Sequence, residues 1–499
     1  MHRARTWLTF VAAALCVGAL GQSTQRVLYV VNNVGDSITV FHVGTDGLLT
    51  QFGDPVPTGS DPQAIALSPD GKYLALVHAG ISTMEQVWLY SVAADGGLTP
   101  VAAPAAMVGD GPLDMHWSNW GHLFIPCAGD DVMYVFKESG GTLVAVPGSP
   151  FGAGSFPLEV DTRPDGRFVF VSNMLAPSGI MAFTVNEDGS IQLVTESPVP
   201  IDGDAPFEVR VDAYGDHLYV GTGLTNTIDA FDILENGDLS RVTGAPFPSN
   251  GTSAVNLAIS PFDTVLFCAN VVSDTVTSKV VNADGSLSSV PGGSQSVGND
   301  VRKVVTDGEY VYVTDESSIE DGTGVLVYRI EATGRLTRLT ADPVATNGGR
   351  PQAMVLWRPT VISGTVTLAD YSGPLEGLPL TIELRRGWWL ATYTTTLDAS
   401  GSYFVLTGQL GVVDVVAKVS HWLSVVEPDV TLGSDLTLNL DLPYNGDANQ
   451  DDSIDLVDIN QILTRFGTVD PDTDLDGSGL VDLPDLNLVL VNFGREGEG

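Results

Sequence analysis

The sequence predicts a mainly β, multidomain chain: a seven-bladed β-propeller, then a small β-sandwich, then a small α-helical calcium-binding module. Three observations predict it. A strand–turn–strand unit recurs along the first 358 residues. From 359 to 443 short apolar runs alternate with polar residues at strand period. Near the C-terminus, oxygen-bearing side chains fall twice at the alternate positions of a twelve-residue loop.

The recurring unit is plainest at 61–77, DPQAIALSPDGKYLALV, where two apolar runs flank Pro69-Asp70-Gly71. Proline fixes φ, glycine supplies a positive φ, and aspartate bonds its own backbone, so the three make a tight turn between strands. The turn returns as Asn119-Trp120-Gly121, Pro164-Asp165-Gly166, Tyr214-Gly215-Asp216, Pro261-Phe262-Asp263 and Thr306-Asp307-Gly308. Its spacing of roughly 45–50 residues is the length of one four-stranded blade. Between the turns a glycine is followed closely by Leu or Ile, at 46–48, 96–98, 140–143, 188–191, 237–239, 284–287 and 334–336. An irregular sandwich does not account for two markers in register. The propeller is assigned to 22–358, with strands 27–33 and 351–357 meeting in one blade, which removes free sheet edges.

Residues 1–21 have the order of an export signal: His2, Arg3 and Arg5, then an apolar run at 7–20, then Ala19-Leu20-Gly21. That run is shorter than the ~20 residues a membrane span needs. A secreted or cell-surface protein without a membrane span is expected. Cys127 and Cys268 are read as equivalent positions in the third and sixth blades, too far apart for a disulfide. The net charge of −39, from 61 acidic and 22 basic residues, repels phosphate backbones and argues against nucleic acid as a partner.

The order of glycine–leucine hairpins and Pro-Asp-Gly turns resembles the lactonase-like seven-bladed propellers, which include 6-phosphogluconolactonases and muconate-cyclising enzymes. The phrases DGLLTQF, DPQAIALSPDGKYLALV and FPLEVDTRPDGRFVFVSN carry the likeness. The resemblance implies chemistry at the mouth of the central funnel, with His or Arg-His after a mouth proline and a Glu in an Asn-Glu-Leu phrase. Here the residues after those prolines are Gln63, Leu113, Leu158, Phe207 and Gln352, and the phrase reads Asn173-Met174-Leu175. The inherited catalytic set is missing.

A different polar ring is expected at the mouth: Gln63, Asp114, Glu159, Glu208, Asn256, Arg302 with Lys303, and Gln352. His116 and Arg210 lie two residues beyond Asp114 and Glu208, on the same strand faces. Such a ring can bind a small polar or sugar-like ligand, or it can be solvated rim charge. His116 with Asp114 or Glu159 is the one acid–base pair it offers.

Residues 359–443 resemble the carboxypeptidase-regulatory or transthyretin-like sandwiches, on the phrases ISGTVTL, PLTIELR and LDASGSYFV. A spacer is the expected role. Trp388, Trp389 and Trp422 offer either a sugar-stacking platform or core packing.

The strongest chemical signal lies in 444–494. Asp447, Asn449, Asp451, Ser453, Asp455 and Asp458 occupy positions 1, 3, 5, 7, 9 and 12 of one loop. Asp474, Asp476, Ser478, Leu480, Asp482 and Asp485 occupy them in a second. Calcium takes six to eight oxygens, and a carbonyl at position 7 needs no acidic side chain. Each loop runs into an apolar helical stripe: Ile459, Ile462, Leu463 and Phe466, then Leu486, Val489, Leu490 and Phe493. Loop-then-helix, duplicated, resembles a type I dockerin, which implies two Ca2+ ions and a cohesin-like or cell-surface scaffold partner. Position 6 of the first loop is Asp452, where that resemblance implies Gly. Positions 10 and 11 are Leu456-Val457 and Leu483-Pro484 rather than a Ser-Thr pair. Metal binding and folding of this module are expected to be one event.

The function expected is therefore an exported, non-catalytic ligand-binding or display propeller, tethered through its C-terminal module. The alternative is a lactonase-type hydrolase acting on a sugar lactone.

Overall fold

The computed structural model describes residues 25–499 except 81–84, 195–196, 203–204, 299, 317–323 and 387–388. The expected export signal and Trp388 lie outside the described residues.

Among the described residues, glycine and aspartate turns break 26–358 into short strands, which form seven antiparallel sheets of four or five strands. The innermost strands are Pro62–Leu67, His116–Trp117, Pro157–Thr162, Pro206–Val211, Ala254–Ile259, Val304–Thr306 and Pro351–Trp357. Each touches the next, and Pro351–Trp357 touches Pro62–Leu67, so the seven close a ring. Arg26–Asn32 pairs antiparallel with Pro351–Trp357, joining the two ends of the propeller in one sheet.

The core sits between sheets rather than within them. Seven apolar clusters fill the seven gaps between neighbouring sheets. Buried tyrosines cross three of these gaps: Tyr29 Oη donates to Gly96 O (2.9 Å), Tyr219 Oη to Gly285 O (3.0 Å) and Tyr312 Oη to Gly47 O (3.1 Å). Each acceptor belongs to a hairpin glycine of the adjoining blade, so the sequence marker doubles as an inter-blade latch. Cys127 and Cys268 are buried free thiols. They are not equivalent: Cys127 faces Pro112, whereas the residue facing the corresponding Ala254 is Asn270, two beyond Cys268.

Two further sheets of four strands follow, built from 360–442 around one shared apolar cluster. Trp422 is buried in that cluster and its Nε1 donates to Ala369 O (3.0 Å), so it is core rather than a stacking platform. Arg386 ties these sheets to the propeller through Ala213 O, with its guanidinium over the Tyr214 ring.

The C-terminal segment holds the two helices found among the described residues, α1 (Leu456–Arg465) and α2 (Leu483–Asn492). Asp455 and Asp482 cap them; Gly467 and Gly494 follow their ends at φ 80° and 79°. Ile462 and Val489 are fully buried with Ala448, Ile454, Leu475, Val481 and Leu423. The rest of the expected stripe is not all inward: Leu463 and Leu490 are 54% and 53% exposed, and Phe466 and Phe493 are exposed too.

Candidate functional site

The mouth residues lie near the start of the innermost strands, and several of these strands carry a β-bulge there. The register slips after Pro62, Pro157, Pro206 and Ala254. A bulge re-aims the side chains beside it.

Glu208 is fully buried and is the hub of the charged part. Its Oε1 accepts from Arg210, its Oε2 accepts from Asn256 Nδ2 (2.5 Å), and Lys303 Nζ stands 3.8 Å away. Asn256 is oriented by Val304 N, which donates to its Oδ1 (2.9 Å). Lys303 Nζ also lies 3.5 Å from Glu159 Oε2. Asp114 Oδ2 accepts from Val160 N (3.1 Å) and so lies against the Glu159 strand. Burial first, then the charges of Asp114 and Glu208, push the Glu159 carboxyl well above the ordinary carboxylate range, against the pull of Lys303 and Arg210. Burial works against the Lys303 and Arg210 cations, but the surrounding carboxylates outweigh it and hold both above their ordinary values.

Three expectations change. His116 pairs with neither Asp114 nor Glu159; its Nε2 lies 3.3 Å from Asp161 Oδ1. Asp161 Oδ2 accepts from Val211 N (2.9 Å) and lies 3.6 Å from Arg210 Nη1. Asp161 was missed although it stands two residues beyond Glu159, the same spacing that singled out His116 and Arg210. Arg302 does not face the carboxylates with Lys303: it is turned to Asp300 and Glu316 at the rim, where Arg350 Nε also reaches Glu316 (3.2 Å). Both residues precede the strand Val304–Thr306, and their side chains diverge there, Arg302 to Glu316 and Lys303 to Glu159. Gln63 and Gln352 hydrogen-bond to each other, and Gln63 Nε2 also donates to Asp61 Oδ1 (3.0 Å), so they form a neutral arc.

The two C-terminal loops give a second candidate centre. In the second, oxygens of Asp474, Asp476 and Asp485 lie within 4.8 Å of one another, the one such acidic trio among the described residues. Asp485 Oδ1 accepts from Leu475 N (2.7 Å) and Asp476 N (3.1 Å), and its Oδ2 from Asp482 N (2.8 Å). These bonds fix the carboxylates in a hard-oxygen cluster whose chemistry fits a calcium ion. Ser478 N donates to Asp474 and Asp476, and Leu480 O turns towards Ser478 Oγ (3.3 Å). In the first loop Asp458 accepts from Asn449 N (3.1 Å) and Asp455 N (2.8 Å), and Asp451 N donates to Asp447 Oδ1 (3.0 Å). Ser453 N donates to Asp451. Burial pushes the Asp447 carboxyl up to about 6, against Lys418.

Seven sheets around a polar mouth define the class, a β-propeller. The family described as a lactonase, seven-bladed β-propeller, matches residues 17–117 and 84–250. A proposed 6-phosphogluconolactonase from Bacteroides uniformis is 18% identical, with a TM-score of 0.57 over 67% of this chain and 100% of that one. Another, from Bacteroides fragilis, is 19% identical, with a TM-score of 0.56 over 67% and 98%. The periplasmic gluconolactonase of Pseudomonas aeruginosa is 21% identical, with a TM-score of 0.56 over 66% and 99%. No curated protein matches the chain. The chain thus carries a lactonase-like β-propeller. No described helix is long and apolar enough to cross a membrane.

Proposed function

We propose that the propeller mouth hydrolyses a neutral sugar lactone. One observation carries this reading. Glu159 lies at the mouth with its pKa raised, its Oε2 accepts no hydrogen bond from the described residues, and Lys303 stands beside it. A carboxylate whose pKa is raised above its ordinary range is a stronger base for taking a proton from water. Glu159 takes a proton from the water that attacks the lactone carbonyl carbon. Lys303 and Arg210 face the charge that develops on the carbonyl oxygen. That proton passes through His116, oriented by Asp161, to the ring oxygen as its bond to the carbonyl carbon breaks, which leaves Glu159 ionised again. The lactonase-like fold, and a gluconolactonase and proposed phosphogluconolactonases among its structural relatives, support the substrate class.

The mouth cations Arg210, Lys303, Arg302 and Arg350 each already stand against a carboxylate. That favours an uncharged lactone over a phosphorylated one. Glucono-δ-lactone should be opened faster than its spontaneous rate in a pH-stat, and its phosphorylated counterpart more slowly. Lys303→Met should lower kcat/KM by roughly 100-fold. Turnover equal to the solvent reaction contradicts the proposal. A binding propeller without turnover is favoured by the absence of His or Arg at 63, 113, 158, 207 and 352; saturable lactone binding with no acid release would select it.

The same proposal makes the C-terminal module a calcium-dependent plug, binding through its two loops and docking to a cohesin-like or cell-surface scaffold protein outside the cell. The acidic trio and the exposed Leu456, Val457, Leu463 and Phe466, repeated in Leu483, Leu490 and Phe493, support it. Export rests on the basic and apolar order of residues 1–21.

A further inference from the structure

The two loops share one register but not one setting. At positions 4 and 6 both backbones enter the left-handed region. The second loop meets this with Gly477 (φ 71°) and Gly479 (φ 94°), the first with Gln450 (φ 61°) and Asp452 (φ 69°). A side chain in that region is strained, so something must hold the first loop in place.

What holds it comes from the preceding sheets. Asp452 accepts Ser424 N at 2.7 Å and Ser424 Oγ at 2.5 Å. Lys418 Nζ lies 2.6 Å from Asp447 Oδ2 and 3.4 Å from Asp452 Oδ1. The same ammonium donates to Trp422 O (2.7 Å) and Ser420 O (3.2 Å). Gly446 N and Asp447 N both donate to His421 O at 3.0 Å. Among the described residues no comparable charge reaches the second loop. Among the described residues its trio accepts only from the loop's own groups, and the sheets touch it through Ser372, which donates to Asp476 O from N (2.9 Å) and Oγ (3.0 Å). Asp474 and Asp476 stay half-buried, whereas Asp447 is buried against the sheets.

We infer that the first loop is a clasp to the sheets rather than an equal calcium site. The Lys418 ammonium supplies Asp447 and Asp452 with the positive charge a cation would otherwise supply. The loop thus keeps its shape and its hold on the sheets without calcium, and the second loop loads first. A fixed positive charge on a ligand carboxylate also repels an incoming divalent cation. The inference rests on the calcium reading proposed above.

The test is a calorimetric titration of the full-length protein with Ca2+ alone, joined to amide hydrogen exchange over 446–454 in chelator. The wild type should show one tight site, with any second site at least ~30-fold weaker, because like charge at the first loop costs it affinity. Asp474→Asn should remove the tight site. Lys418→Met should narrow the gap between sites and speed exchange over 446–454 by ~10-fold or more as the clasp opens. Asp452→Gly, which suits the left-handed backbone and so keeps the loop foldable, should likewise raise first-loop affinity while loosening the clasp. Two equal sites in the wild type, or affinities and exchange unmoved by both clasp substitutions, would overturn the inference while leaving calcium binding intact. No calcium uptake at all would overturn both readings.

Discussion

Asp263 shows what one residue of a repeat can become. It holds the place that glycine takes in most of the Pro-Asp-Gly turns, at φ 50°. Its carboxylate reaches back to the preceding turn, accepting Ala213 N (2.8 Å) and Tyr214 N (3.1 Å). Burial, with Asp212 adding to it, pushes its pKa up to about 7. An acid whose folded pKa is raised binds more protons folded than unfolded. Its contribution is full below the unfolded value of ~4 and is lost as pH rises through about 7. Thermal unfolding should therefore show stability falling from pH 5 to 8, with a shallower fall in Asp263→Asn. The turn was legible from sequence, because turn chemistry is local. The shifted acidity was not, because Asp212 and the two donors come from another blade. The same holds at the mouth: His116 was legible as a candidate, but its partner Asp161 belongs to the next sheet.

At the scale of elements, blade markers were read well because each hairpin glycine answers a local φ requirement. The tyrosine latches were invisible, since each joins residues far apart in sequence. Tyr219→Phe should remove the bond to Gly285 O while keeping the ring buried, costing about 1 kcal/mol. Urea unfolding of the propeller measures it, and an unchanged midpoint would show the latch to be idle. The helices teach the converse. A period of 3.6 named eight apolar positions, yet burial followed the neighbours available, so Ile462 and Val489 went inside while Leu463 and Leu490 stayed out. Those exposed positions predict that Leu463→Asp with Leu490→Asp abolishes docking to a scaffold partner and leaves the unfolding midpoint within about 0.5 kcal/mol, as surface changes do.

For the whole molecule, closure and charge govern. The ring is completed by pairing Val27 through Asn32 with Pro351 through Trp357. A chain ending at residue 350 should leave that edge open and aggregate, where one ending at 358 stays monomeric in size-exclusion chromatography. With a net charge of −39, raising salt from 0.02 to about 0.2 M should raise Tm by screening self-repulsion.

The account's centre is the Glu159 carboxyl at the mouth of that ring. The most direct measurement is kcat/KM for glucono-δ-lactone against pH, corrected for spontaneous opening, in the wild type and Glu159→Gln. The account predicts a rising limb set above the ordinary carboxylate range, and loss of at least about 100-fold in the variant together with that limb. A variant that keeps both the rate and the limb would place the chemistry elsewhere.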